Sequence, residues 1–222
     1  MCFRPLILIV GIISLSGAAF AKPHTVTLGR ALPVKLLVGP SEAKPMDITV
    51  RALYVDGKVK EFTTGGTHDV TDREFAVRRA YRINDALPDD SRHSPKWLWQ
   101  RGDWLLVNRT SGKITALRLP YFDPFYSSVS WYRDYAAYCG ISSSGELVIA
   151  VVAEIGSKKP LYRKEVGRNN SGDEPDSNCS PPHWERRPAR VTFLPNGGDR
   201  FTVSVSAHVT DQTSAEKDSD EQ

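Results

Sequence analysis

The sequence predicts an all-β protein, an antiparallel meander of short strands forming a single β-sandwich-like domain. Three observations lead there. Apolar and β-branched residues alternate with polar ones in short runs, and Asp-Gly, Ser-Gly and Asn-Gly pairs punctuate those runs. Beyond the first 21 residues no stretch makes a convincing amphipathic helix, so strands must supply the core.

Each element follows in order. MCFRPLILIVGIISLSGAAFA joins one positive charge, Arg4, to an apolar run over 6–15 and an Ala19-Phe20-Ala21 processing pattern. This reads as a secretory leader cleaved after Ala21, which places the protein in the periplasm or outside the cell. Cys2 precedes the apolar run and leaves with the leader. The remaining residues, 22–222, include no stretch long and apolar enough to span a bilayer as a helix.

A Pro-interrupted entry, KPHTVTLGRALPVKLLVGPSEAKP, precedes the first clear hairpin, DITVRALYVDGKVKEFTTGG. Ile48, Val50, Ala52 and Tyr54 alternate with Thr49, Arg51 and Leu53, and Asp56-Gly57 supplies the two positive-φ positions of a tight turn. DVTDREFAVRRAYRIND supports two readings over residues 72–86. Thr71 and Glu74 have capping-box spacing ahead of Ala76, Ala80, Ile83 and Leu87 on one helical face. Phe75, Val77, Tyr81 and Ile83 instead fit a pleated strand, and the β-favouring side chains tip the balance toward strand. ALPDDSRHSP then reads as a surface loop.

WLWQRGDWLLVNRTSGKITALRLP gives a dense apolar strand around 104–107, a turn at Thr110-Ser111-Gly112 and a return strand. YFDPFYSSVSWYRDYAAYC packs eight of the 21 aromatic residues into one stretch. Its first part, 121–126, reads as a Pro-containing turn. Its second, 131–139, reads as one strand with Trp131, Tyr135, Ala137 and Cys139 on one parity and Tyr132, Ala136 and Tyr138 on the other. After a Ser143-Gly145 turn, ELVIAVVAEI is apolar on both faces and predicts a strand covered on both sides. Residues 165–188 read as a long polar loop. ARVTFLPNGGDRFTVSVSAHV closes the all-β domain, 22–209, with a hairpin, and the acidic tail 210–222 lacks apolar periodicity and reads as disordered.

Within this chain SSVSWYRDYAAYCGISSSGELVIAVV resembles a β-propeller blade: a Trp-bearing strand, a small-residue strand, a Ser/Gly turn and an apolar strand. The resemblance implies a small or partial propeller-like arrangement of blades as the alternative architecture.

Without the leader two cysteines remain, Cys139 and Cys179. An even pair in an oxidising compartment predicts one disulfide. The formal charge is +3, from 29 basic and 26 acidic residues. Setting aside Arg4 and the tail, with five acids and one lysine over 211–222, leaves a body of +6. Export argues against nucleic acid as the partner and points to an envelope glycan or protein.

The chemistry-bearing motifs are sparse. His24, His68, His93, His183 and His208 are too far apart for a zinc motif, and the chain has no C-x-x-C, P-loop, dinucleotide fingerprint or G-x-S-x-G elbow. No cofactor or metal is expected. The acid-rich DEPDSN, 173–178, lacks the glycine and distal glutamate of a calcium loop and reads as solvated. Asn108, Asn169 and Asn178 begin N-x-S/T sequons. Asp123 and Asp134 flank aromatic residues, as the paired carboxylates of a glycoside hydrolase do. Asp123 before Pro124 equally marks a turn start, and Asp134 beside Arg133 equally suits an ion pair.

The leading expectation is therefore a non-enzymatic binding or scaffolding domain, with Trp97, Trp99, Tyr121, Tyr126, Trp131 and Arg133 as candidate ligand contacts. The alternatives are an envelope hydrolase using Asp123 and Asp134, and an assembly subunit pairing its strand edges with a partner.

Overall fold

The computed structural model describes residues 23–36, 46–84, 97–169 and 179–205. The residues expected to form a leader (1–21), a surface loop (86–95), a solvated acidic run (173–178) and a disordered tail (210–222) lie outside the described residues. Within them the protein is almost entirely β-strand, arranged in three sheets.

The first sheet contains β1 (Val26–Leu28), β2 (Leu32–Leu36), β3 (Met46–Val55), β4 (Lys58–Asp69), β5 (Glu74–Asn84), β6 (Trp97–Asn108) and β7 (Ile114–Ala116). β3 pairs with both β2 and β4, β5 with β4 and β6, and a single parallel bridge, Leu36 to Trp99, joins β2 to β6. The pairings of β2 through β6 thus return on themselves. The β3–β4 turn has Asp56 at φ 52° and Gly57 at φ 73°, with Val55 opposite Lys58. This is the two-residue turn that Asp-Gly encodes.

Residues 74–84 are strand, so pleated packing prevails over the capping-box pattern. Thr71 still accepts from the backbone N–H groups of Arg73 and Glu74, at 3.3 and 3.0 Å. That local bond shapes the β4–β5 turn instead of opening a helix. Leu53, placed with the polar set by strict alternation, is fully buried with Phe75, Val77, Leu105 and Val107. The register irregularity beyond it adds Lys60 to β4 and leaves the period of β3 intact; Leu53 and Val55 are buried on one face and Val50 on the other, so both faces of β3 carry core residues.

The second sheet is the meander β8 (Ser130–Tyr132), β9 (Tyr135–Ile141), β10 (Leu147–Glu154) and β11 (Tyr162–Arg168). The third is β12 (Cys179–Arg186), β13 (Ala189–Pro195) and β14 (Phe201–Ser204). Two expectations change here. Residues 131–139 are not one strand: Arg133, at φ 52°, reverses the chain so that Tyr132 faces Tyr135. Trp131 therefore moves to the side of Ala136 and Tyr138. Residues 165–188 are not one loop either, because β11 runs to Arg168 and β12 begins at Cys179. Their polar composition reflects edge strands with one face toward water, and Pro181-Pro182 fall where the β12–β13 register shifts, so no ladder N–H is missed.

β10 is covered on both faces, as its sequence requires. One face of β9 and β10, with Ala137, Cys139, Val148, Ala150 and Val152, packs on Val191, Phe193 and Val203 of the third sheet. This is the sandwich expected from the sequence, and the Cys139–Cys179 disulfide crosses it with a Cα–Cα distance of 6.0 Å. Closing its loop, with a sequence separation of 40 residues, stabilises the fold by about 4 kcal/mol in the chain-entropy model. The opposite face, with Ala136, Tyr138, Ile149, Val151 and Ala153, packs on Leu119, Tyr121, Phe122, Val129 and Trp131. The meander that resembles a blade exists as sheet two, but among the described residues the sheets do not form a ring of blades.

The connector from Leu119 to Trp131 is thus a layer in its own right. Tyr121 (φ 60°) accepts from the Ile141 N–H at 2.8 Å and lies against Gly140, where a Cβ would come within 2.2 Å of the Tyr121 carbonyl oxygen. Gly140→Ala is expected to cost about 2 kcal/mol or more in urea unfolding, through overpacking against backbone. Gly66→Ala, where the space is open, should stay within about 1 kcal/mol. Equal effects at the two positions would contradict this packing.

Candidate functional site

The aromatic residues separate into those that build the interior and those left at the surface. Trp131 belongs to the interior. Its ring stacks on His68 (centroids 5.3 Å apart) and meets Trp104 edge-on at 4.9 Å. His68 Nε2 lies 2.6 Å from the Arg133 carbonyl oxygen and donates to it. Its bond ties β4 to the β8–β9 turn and helps hold Arg133 in its left-handed conformation. Trp104 is 8% exposed, and the indole N–H groups of both Trp104 and Trp131 are buried without a hydrogen-bond partner among the described residues.

Tyr121 is half-buried, with the Arg163 guanidinium 4.9 Å above its ring. Tyr126 packs edge-on against Phe125 at 4.7 Å. Arg133 is exposed, its guanidinium 5.5 Å from the Tyr132 ring. Tyr121 and Tyr126 belong to the connector and Arg133 to the β8–β9 turn.

Trp97 and Trp99 do form a unit. They lie two apart on β6, and β5 sets Asn84 opposite Trp97 and Arg82 opposite Trp99. The Arg82 guanidinium lies 5.6 Å from the Trp97 ring and 5.4 Å from that of Trp99. Phe62 backs Trp99 edge-on at 5.3 Å. Trp97 is 54% exposed. Cation–π attraction thus holds a guanidinium against two indoles while leaving an indole open to solvent.

A cleft of about 330 Å³ is lined by Leu36, Tyr81, Gln100, Arg101, Asp123, Pro124 and Phe125; Tyr81 and Gln100 are cross-strand partners that alternate with Arg82 and Trp99, so they leave the opposite face of the β5–β6 pair. Gly102 makes room for the Tyr81 ring, which a Cβ there would meet at 3.2 Å. Sequence reading missed Arg82, Tyr81, Gln100 and Arg101. The available signal was that β-pairing sets 81–84 opposite 97–100, which only a strand reading of both segments reveals.

The two acids are not brought together in this cleft. Asp123 Oδ1 accepts from the backbone N–H of Phe125 at 2.7 Å and of Tyr126 at 2.9 Å, while the Asp123 N–H donates to Ser127 Oγ at 3.0 Å. This is the turn-forming role that Asp before Pro suggests. Asp134 sits in the β8–β9 turn and does not line the cleft. It and Glu154 add to burial in raising the Tyr135 hydroxyl above its ordinary pKa.

Other polar groups are committed to structure. The Asn108 side chain accepts from the N–H groups of Thr110 and Ser111 and donates to Glu74, leaving that sequon amide engaged. His24 Nδ1 lies 2.6 Å from Asp56 in an exposed pair. Among the described residues no group of three His, Cys, Asp or Glu is placed to hold a metal ion. Nor does any helix among them have the length and apolarity to cross a membrane. No protein-family model, curated protein or solved structure matches the chain.

Tyr138 supplies a pH dependence. Its hydroxyl donates to the Pro120 carbonyl oxygen at 2.6 Å, and burial pushes its pKa well above the ordinary value. Above about pH 10 the unfolded chain has lost this proton while the folded chain keeps it, so stability falls as pH rises. The contribution is complete below about pH 10 and is lost progressively above it. Urea midpoints for wild type are expected to fall more steeply than for Tyr138→Phe from about pH 10 to 11.5. Parallel slopes would contradict this.

Proposed function

We propose that the protein is an exported, non-enzymatic binding domain whose ligand is a glycan of the cell envelope or its surroundings, held by Trp97, Trp99 and Arg82. The observation carrying this reading is the more than half-exposed indole of Trp97 beside a guanidinium that rests on two rings. An exposed aromatic face stacks on the C–H face of a sugar ring, and an oriented guanidinium adds directional donors.

A non-enzymatic role is supported by Asp123, whose Oδ1 holds a turn, and by the placement of Asp134 away from the cleft. Export is supported by the leader pattern and suits the disulfide, which persists in oxidising compartments.

The test is a glycan-binding screen with the exported chain and its Trp97→Ala variant. The variant is expected to lose about 2 kcal/mol of binding, roughly thirtyfold in Kd, with its melting temperature unchanged. Binding that survives Trp97→Ala intact, or a wild-type chain that retains no glycan, would overturn the proposal.

A further inference from the structure

A second concavity lies on another part of the molecule. It is a groove of about 570 Å³ between the segment 115–120, which follows from β7, and the turn 155–158 that ends β10. Leu106, Leu117, Leu119, Pro120 and Ile155 give it apolar walls. Both walls are fixed by backbone bonds: the Leu117 N–H donates to the Trp104 carbonyl at 2.8 Å, and the Ile155 N–H to that of Asp134 at 2.8 Å. The groove is therefore preformed, and its size falls within the range of small-molecule sites.

Its charge is one-sided. Arg118 and Lys158 line it and are exposed, and no carboxylate does. Neither cation forms a salt bridge among the described residues; the pairs present involve other side chains. The Ser157 hydroxyl is spent on the Lys159 carbonyl, so the charged groups are the principal polar features offered to a ligand.

We infer that this groove binds a single-chain anionic amphiphile, its apolar chain along Leu106, Leu117, Leu119 and Ile155 and its acidic head between Arg118 and Lys158. Burying an alkyl chain gains about 0.8 kcal/mol per CH₂ group. An anionic head receives charge-assisted hydrogen bonds, which a neutral head cannot accept as strongly. A purely apolar ligand would use the walls and leave the cations idle.

The probe is dodecanoate below its micelle concentration, titrated calorimetrically at about pH 8 into the exported chain, with dodecyldimethylamine oxide, whose sugar-free head has no net charge, as the control. Saturable 1:1 binding of dodecanoate is expected, at least about tenfold tighter than the amine oxide. The Arg118→Glu/Lys158→Glu variant, altered only at exposed positions, should keep the wild-type melting temperature and bind dodecanoate at least about tenfold more weakly. Absent dodecanoate binding, equal affinity for the two heads, or an unaffected charge-reversed variant would each overturn the inference. So would binding only to phosphatidylglycerol vesicles, which would make the surface a membrane contact. Trp97→Ala should leave dodecanoate binding unchanged, which separates this groove from the glycan platform.

Discussion

The fold depends on a buried arginine. Arg78 is 8% exposed, yet its side chain reaches from β5 across the interior. Its Nε donates to the Gly102 carbonyl oxygen at 3.4 Å, its Nη2 donates to that of Pro124, and its guanidinium lies 5.6 Å from the Phe122 ring. A guanidinium taken out of water is costly unless its donors are satisfied, so these bonds constrain where the connector must run. With Pro124 and Phe122 held against the first sheet, Trp131 comes to lie between His68 and Trp104. The same connector presents Leu119, Tyr121 and Val129 to the second sheet. Phe122 and Trp131 touch both sheets, which makes the connector the joint between them.

This joint explains where ligand-binding chemistry is left over. Most of the aromatic density in 121–139 is consumed by packing: Tyr138 is fully buried, Phe122 meets it edge-on at 5.8 Å, and Trp131 wedges between elements. The disulfide and Phe193 close the other side of β9 and β10. Two peripheral places remain, the indole platform where β6 parts from β2 and the basic-rimmed groove beside β7. The platform stands on paired strands and the groove on turns pinned by the Leu117–Trp104 and Ile155–Asp134 backbone bonds, so the side chains of both are held in place in advance.

Much of the architecture was legible in the sequence because it rests on local rules. Asp56-Gly57 encodes a tight turn, the unbroken apolar run of β10 encodes double coverage, and the expected pair Cys139 and Cys179 forms a bridge. The misreadings came where a tertiary contact overrides a local rule. Arg133 adopts a positive φ with no glycine or asparagine signal, since His68 and the Tyr132 ring hold it. Leu53 is buried because β3 carries core residues on both faces, Val50 on one and Leu53 and Val55 on the other, which a one-sided reading of the alternation does not anticipate. β11 and β12 looked like loop because edge strands carry charge and proline. For the platform, Trp97 and Trp99 stood out as aromatic, whereas Arg82 became visible only through its cross-strand partner. The role of Arg78 had no signal in the sequence, as it depends on a carbonyl 46 residues away.

If the connector is the joint, the first sheet and the sandwich of the second and third should open together. Hydrogen exchange resolved by peptide, followed through a urea series, measures this directly on β5 and β10. The account predicts one shared opening free energy for the two strands in the wild type. In Arg78→Ala it predicts that β5 opens at a free energy a few kcal/mol below that of β10, since the substitution leaves the Gly102 and Pro124 carbonyl oxygens without this donor, at about 1 to 3 kcal/mol each. Independent opening of β5 and β10 in the wild type, or an Arg78→Ala chain in which both remain coupled and equally protected, would contradict it.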